Sequence, residues 1–173
     1  MAQQTIVQTL IWELESWFQE LVQNLSEIST EEAKWKPTNR SKTVDVLNQF
    51  YEKRNDWISE YFLDPISTIE FKVVHLAQWK HKYNEFIFRE GSRNWIDLEC
   101  PEWPYCINYL KKTQKSLVKS LQTLTDEQLD DKVHTRWDEL WSIKRIISTL
   151  IFHDAYHFGQ INTIRNLFQV RNK

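Results

Sequence analysis

The sequence predicts an all-α domain: a four-helix bundle of up-and-down type with one additional helix. Three observations lead there. Only two glycines, Gly91 and Gly159, occur in 173 residues, whereas sheets and hairpins draw on glycine at their turns. Apolar residues recur at i, i+3, i+4 and i+7 over long windows, the period of a helix with one face on a core. Capping patterns and prolines then cut the chain into pieces of helical length. The chain is 41% hydrophobic and 27% charged, and no repeat, low-complexity tract or linker interrupts it. Residues 1–173 are therefore read as a single domain with one core.

The elements follow in order. Residues 5–28 place Ile6, Val7, Leu10, Ile11, Leu14, Trp17, Phe18, Leu21, Val22, Leu25 and Ile28 at the helical period. Ser29 or Thr30, with Glu31 and Glu32, reads as a short new start that Pro37 ends. Ser41 is expected to cap a helix running to about Phe62, with Val44, Leu47, Phe50, Trp57, Tyr61 and Phe62 inward. Asp64-Pro65 marks a turn. The stretch "STIE" at 67–70 has the form of a capping box, Ser67 as cap and Glu70 reaching back, and opens a helix to about Phe88. Residues 89–103 read as a loop. Pro104 suits the first turn of a helix reaching Leu124, "TDEQL" at 125–129 reads as a short capped turn, and "DDKVHTRW" as a loop. The last helix starts between Glu139 and Ser142 and runs to about Gln169.

Composition excludes several functions. The net charge of −2 comes without a dense basic stripe, so nucleic acid is not an expected partner. The N-terminus lacks a basic segment before its apolar residues, Glu13 and Glu15 interrupt it, and no apolar run is long enough to span a bilayer. No membrane association and a cytoplasmic location are the expectations. No glycine-rich phosphate loop is present. Cys100 and Cys106 lack the CxxC spacing, so they are read as a reduced pair in a loop. Nine tryptophans can fill a bundle core or line a pocket.

The chemistry concentrates in "LIFHDAYHFGQINTIRNLF", residues 150–168. Positions 143, 146, 147, 150, 153, 157, 161, 164 and 168 make one helical stripe, and His153 and His157 interrupt it. Histidines at i and i+4 project from one face a turn apart, which suits two ligands on one metal ion. The alternative is a pair of core histidines bonded to neighbouring carbonyls. Burying two imidazoles costs roughly a few kcal/mol unless their nitrogens find partners, and a metal supplies one directly. Two ligands make a weak site. His75, with Phe71 and Trp79 one turn to either side, is the candidate third. His81, between Lys80 and Lys82, is read as solvated, and His134 as an exposed loop residue. Imidazole ligands suit Zn, Ni, Cu or Fe without choosing among them.

Two stretches carry a family resemblance. "HDAYHFGQINTIRNLF" resembles the closing signature of the DinB/YfiT-like superfamily of helical bundles, and "HLAQWKHKYNEFIFREGSRNW" is similar to its earlier ligand-bearing helix. "RWDELWSIKRIISTLIFHDAYH" fits the same superfamily, and together these cover most of 67–168. The resemblance implies a divalent metal, nickel or zinc, on three histidines, here His75, His153 and His157. It also implies frequent homodimers, and relatives that include transferases using low-molecular-weight thiols, a maleylpyruvate isomerase and hydrolases. "WKPTNRSKTVDVLNQFYEKRNDW" also resembles the superfamily's usual second helix, and in that alignment Gln49 stands at the ligand position. The flanking residues and the separation from His153 favour His75.

The functional expectation is a metal-dependent enzyme acting on a small-molecule substrate, as a thiol-dependent transferase or a hydrolase. The ion would serve as a Lewis acid or activate a bound water or thiol. The competing expectation is a non-catalytic helical module that binds a small ligand or a partner, with structural histidines. Gln49, Trp79, Asp154 and Gln160 are placed behind the ligands or in the pocket wall. Asp154 is assigned either to orienting an imidazole or to an inter-helix contact. Tyr156, Trp137 and Trp141 are further candidates for the wall. No Ser-His-Asp or Cys-His arrangement is seen.

Overall fold

The structure is a computed structural model, and it describes residues 4–44, 66–89, 102–135 and 139–171. Helix α1 spans Ile6–Ser26, and its start is doubly capped. The Thr5 hydroxyl accepts from the Gln8 backbone N–H at 3.1 Å, and the Gln8 side chain accepts from the Thr5 N–H at 3.0 Å. The Asp126 carboxylate accepts from the Ile6 and Val7 N–H groups at 3.0 and 2.9 Å. These bonds occupy backbone donors that have no partner inside the helix. Val7, Ile11, Leu14, Phe18, Leu21 and Leu25 form the buried face, as the period predicts. Helix α2 is the short Thr30–Lys34, capped by Ser29. The helix expected from Ser41 to about Phe62 falls outside the described residues beyond Val44.

Helix α3, Ile69–Phe88, begins one residue later than the capping pattern suggested. Thr68, not Ser67, is the cap, its hydroxyl accepting from the Phe71 N–H at 3.1 Å. Ser67 instead joins Lys42 in an isolated parallel bridge, which places its backbone outside the helix. Every residue of α3 from Ile69 to Lys80 is buried. Its polar content hides this, because a helix covered on all sides normally reads as apolar all round.

Helix α4 is Trp103–Leu121, with Pro104 in the first turn, where a missing N–H costs nothing. The Trp103 indole N–H donates to the Ile28 carbonyl at 2.9 Å. A short 3₁₀ turn, Glu127–Asp130, follows. Two strands, β1 Lys132–His134 and β2 Leu140–Ser142, then pair antiparallel with Val133 opposite Trp141. This hairpin corrects the loop expected there. Three-residue strands are too short for an alternating pattern to be read, and they hold because Val133 and Trp141 pack on the core. Helix α5, Ile143–Val170, starts at Ser142, whose hydroxyl accepts from the Arg145 N–H at 3.3 Å.

Packing sets the directions. One core region joins the second half of α1 to the first halves of α3 and α4 and to Ile161 and Ile164 of α5. The other joins the first half of α1 to the ends of α3 and α4 and the start of α5. Thus α1 and α5 run one way and α3 and α4 the other, so the four long described helices go up, down, down, up. This corrects the alternating up-and-down order expected from the sequence: α3 and α4 are neighbours packed in parallel. Helices α3 and α5 pack together antiparallel, which brings the middle of one against the middle of the other. The position of Cys106 differs from the expectation: it is buried within α4 rather than in a loop. Cys100 lies outside the described residues.

Candidate metal centre

Helix α5 buries Ile143, Ile146, Ile147, Leu150, Asp154, His157, Ile161 and Ile164. His153 sits at the edge of that stripe, half-buried. The i, i+4 spacing brings the His153 and His157 ring centroids to 4.4 Å, nearly perpendicular at 86°. The antiparallel approach of α3 sets His75 opposite both, at 5.0 Å from each ring. Its Nε2 lies 3.0 Å from His153 Nε2, which lies 3.1 Å from His157 Nε2. One ligand atom from each histidine falls within 4.8 Å of the other two. Three imidazoles from two helices thus point their edges at one place.

Burial sets the charge of these rings. Desolvation first, and the Lys72 ammonium second, push the His157 imidazole down to about 3. Desolvation, then His157, Lys80 and Lys72, hold His153 well below the ordinary histidine range. Both are neutral at ordinary pH, the state in which an imidazole binds metal. A neutral imidazole carries one N–H. His157 presents Nδ1 to Gln160 Oε1 at 2.7 Å, an acceptor, so its Nε2 holds a lone pair. Among the described residues, His153 Nδ1 has no hydrogen-bond partner.

The donor set fits a metal ion. Two imidazole nitrogens on one ion, each bonded at about 2.0–2.1 Å at tetrahedral to right angles, stand about 2.8–3.4 Å apart. The observed 3.0 and 3.1 Å fall in that range. Crowding nitrogen lone pairs together in a buried place is unfavourable by itself, and a cation at their centre relieves it.

The residues expected around the ligands separate into two groups. Gln160 stands behind His157, and its Oε1 also accepts from Lys72 Nζ at 2.8 Å. Trp79 packs on His153 with ring centroids 5.0 Å apart and on His75 at 5.9 Å. Asp154 does not orient an imidazole: its carboxylate pairs with Lys80, the inter-helix role. Burial pushes that carboxyl up, and Lys80 opposes the shift. Tyr156 touches His157 from the exposed side, centroids 5.1 Å apart. Trp141 is stacked by the Arg145 guanidinium at 3.8 Å, beside the hairpin. Gln49 and Trp137 lie outside the described residues.

His134 is exposed, as expected, though on β1. His81 is half-buried rather than solvated, and its neighbours Lys80 and Lys82 are buried. Desolvation accordingly lowers the His81 imidazole. Sequence reasoning missed Lys72 and Lys80, which reach Gln160 and Asp154 on α5. The only trace in the sequence is their position: both share a helical face with Leu76, Trp79 and Tyr83.

Comparison with known proteins agrees with this architecture. No curated protein matches the chain. The crystal structure of a conserved protein from Enterococcus faecalis is similar over 96% of this chain and 98% of that one, with a TM-score of 0.55 at 18% identity. At that identity the likeness is one of fold. The family model of the DinB superfamily matches residues 13–161, a span holding all three clustered histidines, the whole of α3 and α4, and most of α1 and α5. The chain belongs to the DinB superfamily.

Proposed function

We propose that the protein is a metal-dependent enzyme acting on a small molecule, with a divalent ion, nickel or zinc, held by His75, His153 and His157. The observation that carries this is the convergence of three ring nitrogens at 3.0 and 3.1 Å on one buried point. Three protein ligands leave coordination positions for substrate, the pattern of catalytic rather than structural sites. Bound there, the ion supplies Lewis-acid chemistry.

The chain's own residues orient and enclose. Gln160 holds the His157 ring by its Nδ1, and Trp79 covers one side of His153. Among the described residues, the carboxylate nearest in sequence to the ligands is Asp154, already engaged by Lys80. Of the other nucleophile types described near the cluster, the Lys72 amine is engaged by Gln160 and Tyr156 lies on the exposed side. That favours a reaction whose nucleophile arrives with the substrates, as in transfer from a low-molecular-weight thiol, with hydrolysis as the related outcome. The homodimer and the cytoplasmic location expected from the resemblance and the composition complete the proposal. No helix of the described residues is long and apolar enough to cross a membrane.

Metal analysis tests the site. Protein purified without a polyhistidine tag should carry close to one ion per chain and lose it to a chelator. Re-addition of Zn²⁺ or Ni²⁺ at about 100 times Kd should stabilise by about 2.7 kcal/mol, a Tm rise of roughly 5–10 °C for a chain of this size. Metal in fewer than about a tenth of the chains, with no Tm response, would sink the proposal. Turnover then separates the reactions: thiol consumption with an electrophile panel supports transfer, and loss of ester or amide without thiol supports hydrolysis.

A further inference from the structure

We infer that Lys72 is a positioning residue for the metal centre: acting through Gln160, it fixes the tautomer of His157. The inference rests on the metal-site reading for its purpose, though not for its geometry. Lys72 stands one turn before His75 on α3, and Gln160 one turn after His157 on α5. Their side chains meet behind the histidine cluster. Lys72 Nζ lies 2.8 Å from Gln160 Oε1, and the same oxygen lies 2.7 Å from His157 Nδ1.

The logic is one of donors and acceptors. An amide side chain can turn either end toward a neighbour, so Gln160 alone would not decide which nitrogen of His157 carries the proton. An ammonium has three donors and no acceptor. Lys72 therefore draws the amide oxygen, and not the NH₂, to the junction. An amide oxygen has two lone pairs and accepts both bonds. His157 must then donate from Nδ1, and its single N–H is placed there. Nε2, 3.1 Å from His153 Nε2, is left as a lone pair facing the cluster. Second partners of this kind set which nitrogen of a histidine binds metal.

Lys72 is buried, at 3% exposure. Burial pulls its ammonium down to about 8, with Lys42 adding to the effect, so it remains protonated at neutral pH. A buried cation near a cation site is costly unless it has a task there. Holding one acceptor in place is such a task.

The test reads the tautomer of His157 directly, by nitrogen-15 NMR of imidazole-labelled, chelator-treated protein near pH 7. The parent protein should show His157 as a single Nδ1–H form. Lys72→Met, similar in length and apolar, should fold with an unchanged helical spectrum and show a mixture of the two forms. The double variant Lys72→Met/Gln160→Glu should return to the single Nδ1–H form, because a carboxylate can only accept. A loosened fold would not be rescued in this way. An Nε2–H form in the parent protein, or a Lys72→Met spectrum equal to the parent's, would overturn the inference. Should the double variant stay mixed, Lys72 acts by packing instead, and the inference also fails. None of these readouts needs metal, so a parent protein that shows the single form yet takes up no ion would refute the metal site and leave the relay standing.

Discussion

Lys80 of α3 and Asp154 of α5 form an ion pair sealed from solvent, with side-chain exposures of 0% and 2%. It lies beside the histidine cluster: Asp154 adjoins His153 in sequence, and Lys80 stands five residues after His75. The pair ties together the same two helices that must hold three imidazoles within a few tenths of an ångström. Charges out of water are stabilised only by their partner, so each holds the other in place.

Breaking that pair should be costly, and replacing it should not. Lys80→Met or Asp154→Asn alone is expected to lower stability by about 3–5 kcal/mol, because one buried charge is left uncompensated. Lys80→Met/Asp154→Leu should recover most of the loss. Denaturant unfolding of the three variants measures this. If the double variant is as unstable as the sum of the singles, the ion pair is not the source of the effect.

His75 should prove to be the third ligand. His75→Ala is expected to abolish metal uptake and its Tm gain, while Gln49→Ala leaves both near the parent values. Equilibrium dialysis with Zn²⁺ and Ni²⁺ decides, and the reverse pattern would transfer the assignment to Gln49.

Acid should loosen the metal-free fold through its histidines. The His157 imidazole titrates at about 3 when folded, against an ordinary 6.5. Between those values the unfolded chain binds more protons, so stability rises with pH and is lost as pH falls from about 6.5 toward 3, by an amount on the order of a few kcal/mol. His153 is depressed for the same first cause, desolvation, and adds in the same direction. His157→Gln should flatten the decline. Urea midpoints at pH 7, 5.5 and 4 give the comparison, and parallel curves for parent and variant would refute it.

Asp126 should matter to α1 although it is 120 residues from Ile6. Its carboxylate accepts from two otherwise unused N–H groups at the helix start, at 3.0 and 2.9 Å, where negative charge is also favoured. Asp126→Ala should cost about 1–2 kcal/mol. Asp126→Asn should cost less, since an amide oxygen can still accept. A loss under about 0.5 kcal/mol for the alanine variant, the range of ordinary surface changes, would show the cap to be idle.

The helices themselves were legible in the chain because local rules write them. The apolar period marks the buried face of α1, Pro104 and Ser142 mark helix starts, and the scarcity of glycine rules out most turns. His153 and His157 stood out for the same reason, as polar interruptions of an apolar stripe on one helix. Tertiary structure decided what joined them. The antiparallel packing of α3 on α5 brings His75 to His153 across 78 positions, an arrangement that no local pattern encodes. It decided equally that Lys72 and Lys80 are buried rather than solvated, because their partners lie 88 and 74 residues away. It turned Asp154 away from the imidazoles and onto a lysine, and it held together a hairpin too short to show a period. A side chain's periodicity is fixed by its own helix, whereas the partner that makes its burial tolerable comes from another.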